Sequence, residues 1–226
     1  MTGLLGDVAA WLADPARWSG PDGIPLRLGE HVWLAVLPTV VAGVLALRGA
    51  VVLAHRRRGR VLVGGLANAG RAGPSFGLLI LAALVFAVNG ASLRFWPAVV
   101  ALVALAVPPL FTNAYAGVSS VPPAVVEAAR GTGLRERQIL LSVEVPLAGP
   151  VILAGIETAF VQVLATVPLA AVVSSGGGFG RYIVRGFALG PAGRPEVFAG
   201  ALLVAALTVG LQRLVVAAGR RLLPVG

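Results

Sequence analysis

Five stretches long and apolar enough to cross a lipid bilayer dominate this 226-residue chain, and they leave room for little but a bundle of membrane helices. A crossing helix needs about 20 mostly apolar residues, because hydrocarbon offers backbone N–H and C=O groups no partner and a helix pairs them within one segment. The stretches run from about Val32 to Ala54, Asn68 to Val88, Pro97 to Gly117, Pro146 to Val173 and Val197 to Val216. Hydrophobic residues make up 58% and charged residues 12% of the chain, and the mean hydropathy of +0.91 excludes an ordinary soluble domain. The predicted class is all-α and integral to the membrane. One transmembrane domain is expected over 30–221, preceded by a segment 1–29 and followed by a short tail 222–226.

Basic residues set the expected orientation, since short cytoplasmic loops hold the excess. Arg56, Arg57, Arg58, Arg60, Arg130, Arg135, Arg137, Arg213, Arg220 and Arg221 fall on one side of the five spans; Arg17, Arg27, Arg94, Arg181, Arg185 and Arg194 fall on the other. The first set is predicted to be cytoplasmic, with the N-terminus outside and the C-terminus inside. Trp11, Trp18, Trp33 and Trp96 then lie at or beyond the outer face, where amphipathic rings favour the interface. Topology thus accounts for a net charge of +9 that in a soluble protein would suggest nucleic acid. In 1–29, Asp7 and Asp14 interrupt the apolar run and no basic residue precedes Arg17, which disfavours a signal peptide. The spacing of Leu4, Leu5, Val8, Trp11 and Leu12 predicts an external amphipathic helix instead.

Several chemistries are excluded by what the sequence omits. There is no cysteine, so disulfides, thiolate ligands and cysteine nucleophiles are ruled out. All eighteen basic residues are Arg, and a phosphate-binding loop of the Gly-Lys-Ser/Thr kind cannot form without Lys. His31 and His55 alone do not make a histidine metal site. No cofactor is expected.

The charged island between the third and fourth spans carries the most specific signal. Glu127-Ala-Ala-Arg-Gly-Thr-Gly133 is followed, after nine intervening residues, by Val143-Glu-Val-Pro146. Pro122 and Pro123 suit a helix start, Glu127-Ala128-Ala129-Arg130 is strongly helix-forming, and Gly131 and Gly133 can end or turn that helix. Leu134 to Ser142 reads as a second short helix that stops before Pro146 opens the fourth span. The expected product is a helix-turn-helix knob on the water side, suited to a groove on another protein.

That spacing resembles the EAA loop of the permease subunits of bacterial ABC importers, in which Glu-Ala-Ala, three residues, Gly and nine residues precede Ile-x-Leu-Pro; Val143 and Val145 replace the two apolar positions. Asn113-Ala-Tyr-Ala-Gly117, Val145-Pro-Leu-Ala-Gly-Pro-Val-Ile-Leu-Ala-Gly-Ile156, Ala165-Thr166 and Gly176-Gly-Gly-Phe-Gly-Arg-Tyr-Ile183 narrow the resemblance to the osmoprotectant permeases for glycine betaine, choline and carnitine. Arg71-Ala-Gly-Pro-Ser75 departs from the usual Gln-Thr-Ile-Pro-Ser, Arg48 stands at a usual Pro, and Glu157 stands where similar sequences often carry Arg. The resemblance implies a type I importer of two permease subunits, an ATPase dimer that binds ATP, and an external solute-binding protein. It assigns ATPase coupling to Glu127, Ala128, Ala129, Gly131, Gly133, Val143 and Pro146. The second permease subunit can be the same chain or a paralogue.

Polar residues within the spans supply candidate pathway positions: Ser75, Asn113, Tyr115, Glu157, Gln162 and Thr166. Glu157 lies about three turns into the fourth span, where an ionisable group is costly unless it faces protein or water. Thr158, Gln162 and Thr166 follow on approximately its helical face. Hydrogen bonding between helices would account for the same residues. Arg48 is near enough to the inner surface to snorkel. Arg71 is expected in the first turn of a second span beginning near Asn68. Gly176, Gly177, Gly178 and Gly180 form a candidate flexible external gate; they lack the Lys and the strand-to-helix setting of a phosphate loop. A channel would leave the Glu127 loop without a purpose, and an intramembrane enzyme would need more than Ser75, Ser174 and Glu157. Import of an amino acid or its derivative is the alternative to osmoprotectant import.

Overall fold

A computed structural model describes residues 2–72, 75–90, 95–174 and 176–222, and every regular element among them is helical. Three helices form the centre, α2 (Ile24–His55), α5 (Trp96–Ser119) and α8 (Val145–Val173), with α5 packing most extensively on the other two. Small residues let them approach. Ala42, Ala46, Ala50 and Ala54 recur every fourth position along α2, each no more than 3% exposed. In hydrocarbon, where apolar side chains gain nothing by leaving lipid, such a seam provides the close packing that holds helices together. Leu102, Leu110 and Phe111 of α5 and Phe160, Val163 and Leu164 of α8 fill the core around it.

The peripheral elements are α1 (Thr2–Ala13), α3 (Arg60–Ala72), α4 (Ser75–Val88), α6 (Pro123–Gly131), α7 (Glu136–Ile139), α9 (Gly180–Ala188) and α10 (Arg194–Leu222). The ends of α2 and α5 and the start of α8 meet at one end of the bundle, called here the loop end. At the distal end, α1 and α9 pack with the start of α2 around Ile24, Phe179 and Tyr182.

Helix boundaries differ from the sequence expectation in three places. α2 starts at Ile24 rather than Val32, and its first turn contains Pro25. Arg27 and Glu30 interrupt the apolar pattern, but Arg27 bonds Glu30 at 2.7 Å and also pairs with Asp22, so the helix runs through them. The expected boundary at residue 29 therefore falls inside α2. The segment before it also finds protein partners: Trp11 and Leu12 pack against the Ile24 cluster, and Trp11 stacks edge-on with Tyr182 at 5.2 Å.

The second difference concerns the expected span from Asn68. α3 runs unbroken through Asn68, and α4 begins after Gly73 and Pro74, which lie outside the described residues. Four helical segments among the described residues are long enough to cross a bilayer; α4 has 14 residues. At 1.5 Å per residue α4 covers about 21 Å against a core of about 30 Å, so α4 alone falls short of a full crossing. The reading of Arg71 concerns a side chain outside the described residues.

The third difference is at Pro146. No break separates the second loop helix from the fourth span: α7 passes through a π-turn, Leu140–Glu144, directly into α8. Pro146 has no N–H to return to the carbonyl four residues back, and the Val145 N–H bonds Leu140 O, five back. The chemistry that suggested a boundary instead widens the turn.

Candidate functional site

The charged loop folds as the two-helix knob its sequence predicts. α6 starts with Pro123 in its first turn after Pro122, and Val126, Ile139 and Val121 close a small apolar core beneath it with Ala129 and Leu134. Glu127 and Ala128 are exposed, Ala129 is half-buried, and Gly131 is the last residue of α6. Gly133 makes the turn at φ +87°, where a Cβ would meet no atom within 4 Å but the backbone conformation disfavours any L side chain. Val143 sits in the π-turn, half-buried, and Pro146 is exposed in the first turn of α8.

A polar chain that sequence reasoning missed connects this knob to the bundle. Arg130 of α6 bonds Glu136 of α7 through Nε at 2.7 Å and Nη2 at 3.0 Å. Glu136 Oε2 lies 3.1 Å from His55 Nε2, and His55 Nδ1 lies 2.5 Å from Glu144 Oε2. His55 ends α2, while Glu144, 2% exposed, ends the π-turn. The Arg130 guanidinium holds the Glu136 carboxyl below the usual carboxylate range. Behind the knob is a cleft of about 270 Å³ lined by His55, Arg57, Val126, Glu127, Arg130 and Glu144. The available signal was Glu144 itself, a carboxylate between the two valines of Val143-Glu-Val145 with no obvious solvent-facing purpose.

The candidate pathway residues do not converge. Ser75 is the first residue of α4. Asn113 donates from Nδ2 to Pro109 O of its own helix at 2.8 Å, and it stands against Gly155 of α8, where a Cβ would come within 2.6 Å of the Asn113 Cβ. Tyr115 packs at the edge of the core. On α8, Thr158 is exposed and Glu157 and Gln162 are half-buried, whereas Thr166 is only 8% exposed and donates to Gln162 O at 2.8 Å. Thr166 therefore faces the chain's own core, apart from the other three. Glu157 has no hydrogen-bond or ion-pair partner among the described residues.

The glycine segment is packed rather than loose. Gly176, Gly177, Gly178 and Gly180 are all buried. A Cβ on Gly178 would lie 2.4 Å from the Cβ of His31, and one on Gly180 would lie 2.3 Å from Pro168 O. His31 is fully buried beneath the segment and its Nε2 faces Leu164 O at 3.2 Å. Next to it the distal end holds a second charged cluster. Arg185 Nε pairs with the 4%-exposed Glu196 at 2.8 Å, Tyr182 donates to Asp22 O at 2.7 Å, and a cleft of about 220 Å³ is lined by Asp22, Arg181, Tyr182 and Arg185. Burial pushes the Tyr182 phenol up to about 12, which keeps it a donor.

A bundle of bilayer-length helices with an exposed two-helix knob at one end, and half-buried polar residues along one helix, defines a polytopic membrane protein. The chain belongs to the family of binding-protein-dependent transport system inner membrane components, the permeases of ABC importers, whose sequence pattern it matches over residues 39–223. It is 31% identical over 198 residues to the choline transport system permease protein OpuBB of Bacillus subtilis, covering 87% of each chain. It is 30% identical to the glycine betaine/carnitine/choline transport system permease protein OpuCB of the same organism, covering 88% of each. The osmoprotectant import permease protein OsmW of Salmonella typhimurium is 31% identical over 81% of this chain and 84% of that one. The fold matches a chain of the MetNI methionine ABC transporter in an inward-facing conformation, with a TM-score of 0.70 at 21% identity over 89% of this chain and 94% of that one.

Proposed function

We propose that this chain, with a second permease subunit, forms the translocation pathway of an ATP-driven importer for small solutes bearing a quaternary ammonium group, of the glycine betaine and choline class. The observation that carries this reading is the match, over nearly the whole chain, to permeases named for choline, carnitine and glycine betaine transport. ATP is bound and hydrolysed by a separate ATPase dimer, and an external binding protein delivers the solute at the distal end. The Glu127 knob docks in the ATPase; Gly133 sets the angle between its helices. Half-buried Glu157 and Gln162 and exposed Thr158 support a pathway along α8. Facing lipid at that depth a carboxylate would be costly, so this side belongs against the second subunit or a water-filled route. The buried glycine segment with His31 serves as the distal gate. Selectivity rests mainly on the binding protein, where aromatic cages favour such cations.

Uptake of radiolabelled choline and glycine betaine at high osmolarity, with and without the gene, tests the substrate. Uptake of at least one should disappear without the gene. Unchanged uptake of both, with intact partners, would remove the osmoprotectant assignment and favour an amino acid or derivative. Orientation is tested without substrate. A reporter active only in the cytoplasm should work when fused after Gly59 or Val225 and fail after Gly193. Activity at Gly193 would reverse the assignment of the loop end to the cytoplasm.

A further inference from the structure

The geometry points to His55 as a positioning residue for transport: as an imidazolium it straps the ATPase-facing knob to α2 and α8, so that knob movement is passed to both helices while that proton is present. This rests on the importer reading above for its consequence, but not for its chemistry. Both ring nitrogens face carboxylate oxygens, Nδ1 toward Glu144 at 2.5 Å and Nε2 toward Glu136 at 3.1 Å. A neutral imidazole has one N–H and can satisfy one of these contacts; the other would set a nitrogen lone pair against a carboxylate oxygen. Only the doubly protonated ring donates both ways, through charge-assisted bonds. A buried carboxylate also requires a donor, and His55 is the one Glu144 has among the described residues.

The three groups join two segments that otherwise meet little: α2, through its last residue, and the continuous stretch that begins with Glu136 of α7 and ends with Glu144 of the π-turn. Arg130 extends the strap to α6 through its two bonds to Glu136. The remaining charged groups facing the cleft are Glu127 of α6 and Arg57, whose Nη1 lies 3.4 Å from Ser119 O at the end of α5. Beneath the strap, Ala54, Val118, Leu140 and Ala148 form a separate apolar contact. Losing the strap should therefore free the knob without separating the central helices.

The chain has no native cysteine, so spin labels can be placed at Arg58→Cys and Arg137→Cys, both exposed, in the assembled complex in lipid nanodiscs. The distance distribution between them should be narrow in the unsubstituted chain. His55→Gln should be broad and His55→Arg, which keeps a permanent charge, narrow. Glu136→Ala provides a second test that does not risk folding, because Glu136 is exposed, and should match His55→Gln. In proteoliposomes with the ATPase and binding protein, uptake per ATP hydrolysed should fall about five-fold in His55→Gln and Glu136→Ala and recover in His55→Arg. His55→Gln and Glu136→Ala variants as narrow as the unsubstituted chain overturn the strap; broad distances with unchanged uptake per ATP overturn its role in coupling. Labels that respond as expected in a complex that takes up no quaternary ammonium probe leave the strap standing and remove the substrate reading alone.

Discussion

A complex carrying Gly133→Asp should assemble and reach the membrane, yet take up solute at about one-tenth of the normal rate or less. Gly133 lies at φ +87° with no atom within 4 Å of a Cβ, so the substitution meets strain and no clash. Left-handed backbone costs an ordinary residue roughly 1–2 kcal/mol. That cost falls on an exposed turn outside the bundle, where it is relieved by changing the angle between α6 and α7 rather than by unfolding. A changed angle moves Glu127 and Ala128 away from the docking position proposed for them on the ATPase, and an added carboxylate beside the knob alters its charge as well. Gly133→Asn isolates the charge, because Asn and Asp are alike among side chains in tolerating this backbone and Asn carries no charge. It should retain most of the activity. Uptake and binding-protein-stimulated ATP hydrolysis, measured with equal amounts of assembled complex, decide the matter. Normal values for the Asp variant would show that the turn does not set the coupling geometry.

Gly178→Val is expected to act earlier, on the fold itself. At φ +51° the backbone already disfavours a β-branched residue, and the new Cβ would sit 2.4 Å from the His31 Cβ and 2.7 Å from its Cα. Backbone strain of about 1–3 kcal/mol adds to an overpacking cost of similar size. Neither neighbour can yield, since His31 belongs to a central helix and is fully buried. The segment leading to α9 would have to lift off α2, exposing the cluster of Ile24, Phe179 and Tyr182. Purified in detergent, the variant should melt well below the unsubstituted protein or fail to accumulate. A melting temperature equal to that of the unsubstituted chain would mean that the close approach of Gly178 to His31 is not maintained.

Much of this organisation can be read from residue order alone. Bilayer-length apolar runs announce α2, α5, α8 and α10 because a membrane helix must be apolar nearly all round. The knob is legible because Pro122, Pro123 and Gly133 punctuate the chain locally. Boundaries are less legible where a long-range partner changes the local rule. Arg27 looks like the end of a span until Asp22 and Glu30 neutralise it, and Pro146 looks like a break until the preceding turn widens around it. His55, Glu136 and Glu144 lie far apart in sequence or alternate with unrelated side chains, so no periodicity marks their meeting. Glycines in a row suggest looseness, while their other use, allowing two backbones to touch, depends on what faces them. Thr166 shows the limit of face arithmetic: it follows Gln162 by one turn, yet it lies on the buried side of α8.

The π-turn before α8 fixes an azimuth. A turn with one surplus residue shifts everything before it by about 100° around the helix axis relative to an unbroken α-helix. With the widening at Leu140–Glu144, the side of α7 bearing Glu136 and the side of the turn bearing Glu144 both point at His55. Without it, one of the two would look elsewhere. Because α7, the turn and α8 form one uninterrupted rod, a twist applied at its exposed end would be carried along α8 as rotation, and rotation would change which neighbours the half-buried Glu157 faces.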